Sequence, residues 1–345
     1  MIIEPLSLDA KNFIKVFWNL TNTCNYNCDY CNPKYKNGTF KWIDNNNYYA
    51  FIDNLANHFS SRTISIQFTG GEPTINKNLL PLMKYCNDKL PNAYLETYTN
   101  GTKNLTWWKK AIKYLDVVHL SVHSQYDTFK IKDLIHFLLD NGLQFLACSV
   151  MHDKRYHENV LQTWEELNNI KHENFFVFLK QLHNNHGYPN IGCLYSDTDK
   201  NLIQKINIDN IKRLIEHPTA TAVSHYPAIL KQSNKTELLG NSHFNKNLKG
   251  WLCHAGYSSF HTDWNGDIIR CASNKVKIGN IFEKTFNPLT SPQSCESNLC
   301  GFFSTSDSTK TIYKILTSMP RSFNIVSTVD RDFAPNCCIY VSYSS

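Results

Sequence analysis

Several signatures that would narrow the class of this chain at once are missing from it. No apolar run approaches the ~18 residues that a membrane-spanning helix needs. The amino terminus carries Glu4 and no basic stretch leading into an apolar core, so it does not read as an export signal. Lysines are scattered rather than blocked and the net charge is only +6, which leaves no nucleic-acid footprint. No low-complexity linker or long repeat interrupts the sequence. These absences predict a soluble, cytoplasmic protein with neither membrane nor nucleic acid as partner. The 345 residues are 42% hydrophobic and 13% aromatic, enough for a sizeable core in one elaborated domain or two.

What is present in excess is cysteine, 12 in all. In a chain without an export signal such a number points to metal or redox chemistry rather than to disulfides. Cys86, on a helical stripe with Leu79, Met83 and Leu90, reads as core, as does Cys148 within a strand. Cys193, His183 and His186 fall in a polar loop and read as ordinary loop residues. The remaining cysteines fall mainly in two groups.

Short β-type runs recur at residues 14–20, 64–68, 93–99, 117–122, 144–150 and 175–182, with helical periodicity between them. Tyr48, Phe51, Ile52, Leu55 and Phe59 form one stripe behind a cap at Asp44. Ile131, Leu134, Ile135 and Leu138 form another, opened by Asp127-Thr128 and closed by Asn141-Gly142. Val160, Trp164 and Leu167 form a third. Six strand–helix units predict an α/β fold with a parallel sheet and right-handed crossovers, a partial (β/α)6 TIM-like barrel. A doubly wound open sheet has the same periodicity. Residues 183–207 read as a long loop, followed by a helix around Ile208, Ile211, Leu214 and Ile215. Farther on, Trp264-Asn265-Gly266-Asp267 predicts a hairpin turn with both central residues at positive φ. Residues 303–345 are rich in Ser and Thr and weakly periodic.

The first cysteine group, Cys24, Cys28 and Cys31, directly follows the first strand. Three thiolates from so short a loop suit an iron–sulfur cubane with its fourth iron open to an outside ligand. Zinc is the rival, but a structural zinc site takes four closed ligands and no neighbouring His or Cys completes this set. The spacing Cys24-x3-Cys28-x2-Cys31, with Tyr30 before the last cysteine, resembles the signature of the radical S-adenosylmethionine (radical SAM) superfamily. Other elements of that family stand at the ends of successive strands. Thr69-Gly70-Gly71-Glu72-Pro73 matches its glycine-glycine-glutamate-proline element, and Thr99-Asn100 looks like its ribose-side element. Ser121-Val122-His123 occupies the place where relatives often carry a serine followed by an acid, with His123 standing in for the acid. Gly70 and Gly71 lack a Cβ, which lets backbone approach a ligand closely.

The second group comprises Cys253 before the predicted hairpin, Cys271 after it, and Cys295 and Cys300 downstream. Four cysteines so placed fit either a zinc site or a four-thiolate cluster. The pattern resembles the SPASM/twitch auxiliary-cluster module of radical SAM enzymes. The resemblance implies a radical SAM core at residues 1–207, a twitch-like β-hairpin iron–sulfur subdomain at 208–302 and a tail at 303–345.

As activity it implies reductive cleavage of S-adenosylmethionine at a [4Fe-4S] cluster on Cys24, Cys28 and Cys31, giving a 5′-deoxyadenosyl radical that abstracts hydrogen from a substrate. Tyr30, Thr69, Gly70, Gly71, Glu72, Pro73, Thr99, Asn100, Ser121 and His123 would bind the cofactor. An auxiliary iron–sulfur cluster would sit on Cys253, Cys271, Cys295 and Cys300, and a flavodoxin- or ferredoxin-type donor would supply electrons. Relatives oxidise or cross-link peptides, or oxidise small polar metabolites such as sugars and aminocyclitols. The first strand begins near residue 14, which predicts no fused leader-binding domain ahead of the barrel. That weakens the peptide reading without displacing it from first place. A zinc-stabilised, non-catalytic binding protein is the alternative of another class.

Overall fold

A computed structural model describes residues 2–4, 13–36, 38, 44–126, 129–182, 195–215, 228–232, 235–239, 251–253, 255–271, 275–296 and 312–314. Strands β1 (Phe13–Thr21), β2 (Thr63–Gly70), β3 (Tyr94–Thr99), β4 (Val117–His123), β5 (Phe145–His152) and β6 (Phe175–Gln181) neighbour one another in chain order. Helices α1 (Asn45–His58), α2 (Leu79–Lys89), α3 (Leu105–Ala111), α4 (Phe129–Asp140) and α5 (His157–Asn168) alternate with them, and α6 (Asp197–Ile215) follows. The fold is α/β, with six parallel β/α units and an antiparallel hairpin region toward the carboxyl end. No described helix is long and apolar enough to cross a membrane. The chain divides into two compact units, one of residues 18–45 and 67–217, the other of residues 1–17, 46–66 and 218–345.

In the first unit the pleat sorts side chains into an outer apolar face and an inner polar one. On β4, Leu120 lies with Ile131 and Leu134 of α4 around Gly101. On the opposite face His119 stacks on Tyr98, ring centroids 4.1 Å apart. Below them the buried Glu96 carboxylate accepts from Gln67 Nε2 at 3.2 Å and lies 3.4 Å from His119 Nε2. Parallel register puts His123, Met151 and Lys180 in one row at the carboxyl ends of β4, β5 and β6, with Ser121, Ser149 and Phe178 one row deeper. Helix α4 ends where the sequence predicts. Gly142 takes φ +80, its N–H bonds to Leu139 O, and Leu143 N–H reaches back to Leu138 O. The cap expected at Asp127-Thr128 lies outside the described residues. Cys86 and Cys148 are fully buried, as is Trp108 of the Trp107-Trp108 pair.

The expected loop at 183–207 is corrected in its second half, where residues 197–207 belong to α6. The cause is a reciprocal cap. The Asp199 carboxylate accepts from Ser196 N at 2.7 Å, and Ser196 Oγ accepts from Asp199 N at 3.2 Å. Residues 183–194, which include His183, His186 and Cys193, lie outside the described set. Once formed, α6 covers the outer edge of β6 with side chains three residues apart. Asn207 Oδ1 accepts from Leu179 N at 2.8 Å while its Nδ2 donates to Leu179 O at 2.9 Å. Asn210 Nδ2 donates to Val177 O at 2.8 Å, and Arg213 Nη2 donates to His172 O at 2.9 Å. Strand β6 is the outer strand of its sheet, and the Asn207 and Asn210 amides satisfy backbone groups of Leu179 and Val177 along that edge.

In the second unit, strands β7 (Ser259–Thr262), β8 (Asp267–Ile269), β9 (Lys277–Asn280) and β10 (Thr285–Phe286) form an antiparallel meander. The Lys15 N–H of β1 donates to Ser258 O at 2.9 Å. Phe51 and Phe59, from the predicted α1 stripe, pack with Phe260 and Phe286 at centroid distances of 5.3–6.2 Å. Each such ring contributes roughly 1.5–3 kcal/mol by leaving water.

The hairpin at 264–267 is present, but its turn differs from the expected one. Gly266 has φ +78, whereas Asn265 is not at positive φ. The Asp263 carboxylate accepts from Asn265 N at 2.9 Å and Asp267 N at 3.0 Å, and Gly266 N–H bonds to Asp263 O. That pattern is a type I turn completed by a left-handed glycine, and Asp263 selects it. Strand Ile312–Lys314, within the weakly periodic tail, pairs with Trp251–Cys253.

Candidate active site

The cysteine loop leaves β1 at Thr21 and is held by backbone contacts to the end of β2. Gly71 N–H donates to Thr21 O at 2.7 Å and Glu72 N–H to Thr23 O at 2.8 Å. A Cβ on Gly71 would stand 2.1 Å from Thr23 O and 2.5 Å from Tyr35 O, and one on Gly70 (φ +126) would stand 2.3 Å from Thr21 O. The two glycines are therefore demanded by the approach of the cysteine loop itself, a different reason from the ligand approach expected from sequence.

Glu72 is buried, and protein donors surround its carboxylate. Oε1 accepts from Thr74 N at 3.0 Å, Thr74 Oγ1 at 2.5 Å and Thr99 Oγ1 at 2.8 Å, and Oε2 accepts from Asn100 N at 2.7 Å. Burial pushes its pKa upward while the bonds from Thr74, Asn100 and Thr99 oppose that shift. Glu72 thus ties the end of β2 to the end of β3. Pro73 opens the short 3-10 turn Pro73–Ile75 that presents the Thr74 donors, and Thr69 is partly exposed at the end of β2. Asn100 in turn faces the loop, its Nδ2 donating to Asn25 Oδ1 at 2.9 Å and lying 4.0 Å from Cys24 Sγ. Thr102 closes the circuit by donating to Asn100 Oδ1 and accepting from Asn25 Nδ2.

The three thiols are free. Burial raises Cys24 to about 11 and raises Cys28 and Cys31 as well. Each also feels a neighbouring thiol's charge, Cys24 that of Cys28, Cys28 that of Cys31, and Cys31 that of Cys24. All three stand on one short loop, and a multi-iron group held there would lower these pKa values by its positive charge.

Aromatic side chains wall the other flank. Tyr30 and His123 stack at 5.9 Å, and the Tyr30 hydroxyl bonds His123 Nδ1, which lies 3.5 Å from Cys28 Sγ. Burial, with Lys180 adding to it, pulls the His123 pKa down to about 4, so the ring is neutral where an acid was the family expectation. Tyr26 stacks on Tyr126 at 3.7 Å, and the Tyr126 hydroxyl accepts from Asn27 N at 2.7 Å. Ser121 lies one row below His123, half-buried. Tyr26, Asn25 and Tyr126 were not singled out from sequence, while Thr102 closes the ribose-side string Thr99-Asn100-Gly101-Thr102. Tyr26 and Asn25 stand inside the cysteine motif, whereas Tyr126 carries no local signal.

In the other unit Cys271 and Cys295 are buried. The backbone of Cys253 lies in strand Trp251–Cys253, where Leu252 pairs with Ser294, so Cys253 and Cys295 flank the same residue pair. Arg270, also buried, donates from Nε to Ala255 O at 2.9 Å, from Nη1 to Ser294 O at 3.2 Å and from Nη2 to Gln293 O at 2.7 Å. Its side chain joins the segments after Cys253 and before Cys295 to the backbone next to Cys271. Cys300 lies outside the described residues.

Residues 18–177 match the family model of the Radical SAM superfamily. An uncharacterised protein of Methanocaldococcus jannaschii is 38% identical over 120 residues, 34% of this chain and 39% of that protein. The Fe-coproporphyrin III synthase of Methanosarcina barkeri is 39% identical over 88 residues, 25% of this chain and 21% of that enzyme. The chain thus spans well under two thirds of the length of these relatives. The structure of native anSMEcpe with bound AdoMet superposes with a TM-score of 0.50 at 16% identity, covering 78% of each chain, a likeness of fold alone. With the cysteine loop at their start and the family's strand-end elements behind it, residues 18–177 form a domain of the radical SAM superfamily, whose enzymes depend on an iron–sulfur cluster.

Proposed function

We propose that this chain reductively cleaves S-adenosylmethionine and uses the product to abstract a hydrogen atom from a peptide, oxidising or cross-linking it. The observation that carries the reading is the clustering of three free thiols, Cys28 buried and Cys24 and Cys31 half-buried, on a loop locked to the strand ends by Gly71, Glu72 and Asn100. A [4Fe-4S] cluster on Cys24, Cys28 and Cys31 would supply the electron that breaks the sulfonium S–C5′ bond, giving the 5′-deoxyadenosyl radical. The chain's own share is placement and shielding. Glu72 spends its acceptors on Thr74, Thr99 and Asn100, and so fixes the Asn100 amide against the loop. Tyr30, His123 and Tyr26 form a wall that excludes water from the thiol side.

Ser121, Ser149, His123, Met151 and Lys180 line the inner face beyond the loop and would contact substrate. Their polar and cationic character also favours a second reading, a small polar metabolite as substrate. Residues 1–207 would be the catalytic core. Residues 208–302 would be a twitch-like module holding an auxiliary iron–sulfur cluster on Cys253, Cys271, Cys295 and Cys300. A flavodoxin- or ferredoxin-type donor would supply the electrons.

Anaerobic purification with iron and sulfide analysis tests the reading. Brown protein carrying two clusters, with 5′-deoxyadenosine formed under a strong reductant, is the expected result. Cys28→Ala should abolish 5′-deoxyadenosine formation while keeping the second cluster. Colourless protein with zinc at both cysteine groups would instead establish the non-catalytic binding protein. Deuterated peptide and deuterated small-molecule substrates then separate the two substrate classes, by which one transfers label to 5′-deoxyadenosine.

A further inference from the structure

Between Cys28 and Cys31 the loop carries Asp29, and this carboxylate does not simply face solvent. Arg155 Nη1 donates to Asp29 Oδ2 at 2.5 Å and Nη2 to Asp29 Oδ1 at 2.9 Å, a two-pronged pair. The same guanidinium holds a second carboxylate. Nε bonds Asp153 Oδ1 at 2.9 Å, Nη2 bonds Asp153 Oδ2 at 2.5 Å, and Arg155 N–H donates to Asp153 Oδ1 at 3.0 Å. Gln125 Nε2 adds bonds of 3.1 Å to Asp29 and 3.4 Å to Asp153. The Asp153 side chain is 2% exposed and directly follows β5, whereas Asp29 is 51% exposed, so the clamp ties a surface-reaching loop to an anchored acid. An isolated surface ion pair contributes little, but a guanidinium shared in fixed geometry by a buried and an exposed carboxylate is a different case.

We propose that Arg155 is a positioning residue for the cluster loop: it fixes the segment between Cys28 and Cys31 and neutralises the acid there, and so sets both the order of the loop and the reduction potential of the cluster it holds. The inference rests on the cluster assignment above for its second half only. Net charge near a cluster is one of the levers on its potential. The group of Asp29, Asp153 and Arg155 carries −1 in the native chain, from two carboxylates and one guanidinium. Arg155→Gln makes it −2, and Asp29→Asn makes it 0. Both substitutions break the clamp, yet they move the local charge in opposite directions.

Hydrogen exchange on cluster-free protein tests the first half without any cofactor. Exchange across residues 24–31 should rise in both variants, with the central strands unchanged. Arg155→Lys, which keeps the charge but cannot bridge two carboxylates with paired bonds, should fall between. Unchanged exchange in Arg155→Gln overturns the positioning role. On reconstituted protein, redox titration of the loop cluster should give a more negative midpoint for Arg155→Gln and a less negative one for Asp29→Asn. Shifts of the same sign, or none, overturn the charge role, since general loosening would not reverse with charge. Wild-type protein that takes up no cluster would sink the functional reading while leaving the exchange result intact.

Discussion

The two cysteine groups differ in how they are held. Cys24, Cys28 and Cys31 lie within eight consecutive residues, and their loop meets backbone, with Thr21 and Thr23 carbonyls accepting from Gly71 and Glu72. Cys253, Cys271 and Cys295 come from three separate segments: strand pairing at Leu252 and Ser294 joins the first to the third, and a side chain, the buried guanidinium of Arg270, ties both to the backbone beside Cys271. A site built on contiguous residues and backbone contacts tolerates change poorly but announces itself in sequence. A group gathered from distant segments shows in sequence only as scattered cysteines, and the side chain that helps draw its segments together leaves no trace there.

The largest effect that would sharpen this contrast is expected at Gly71. A methyl group there would stand 2.1 Å from Thr23 O, and a backbone oxygen held in its own hydrogen bond cannot move aside. Gly71→Ala should cost about 3 kcal/mol and displace the cysteine loop. Iron at the first group should fall to background and 5′-deoxyadenosine formation with it, while iron at the second group persists. Full iron content in Gly71→Ala would break the comparison at its root.

The same contrast explains what could be read without coordinates. All six parallel strands lie within two residues of their predicted bounds, because β-branched and aromatic runs fix them locally. The strand-end elements around Gly70, Glu72, Thr99 and Asn100 were also found, each being a short contiguous string. What they do was less legible. The role of Glu72 as a tie between two strand ends depends on Thr99 and Asn100, 27 and 28 residues away. The Asp29–Arg155 clamp spans 126 residues and leaves no local trace. The start of α6 was missed although Ser196 and Asp199 stood at capping distance, because the preceding Asn, Gly and Pro residues masked it. The turn at Asn265-Gly266 was misjudged because Asp263, outside the dipeptide, chooses its type.

The second effect in size is expected at Arg270. Arg270→Met keeps most of the volume but removes three charged hydrogen bonds, one to the buried Ala255 carbonyl and two to the exposed Gln293 and Ser294, a loss of about 2 kcal/mol. The segments bearing Cys253 and Cys295 should then separate from Cys271. Metal analysis should show the second group depleted and the first intact, with cleavage of S-adenosylmethionine retained in the absence of substrate. Loss of iron from both groups to the same extent would show that the guanidinium supports the fold at large rather than the second site.

The smallest effect is expected at Gly256, the counterpart of Gly71 in the second unit. It has φ +85, and an added Cβ would lie 2.9 Å from Arg270 Cγ and 3.0 Å from Leu289 Cδ1. These obstacles are side-chain carbons that can shift by tenths of an ångström, unlike the carbonyl oxygens facing Gly71. The remaining penalty is the left-handed backbone, about 1–2 kcal/mol for a residue with a Cβ. Gly256→Ala should therefore lower the melting temperature modestly and leave iron at both groups. A variant as damaged as Gly71→Ala would mean that the second site also leans on rigid backbone. The distinction between the two groups would then lie in their spacing along the chain alone.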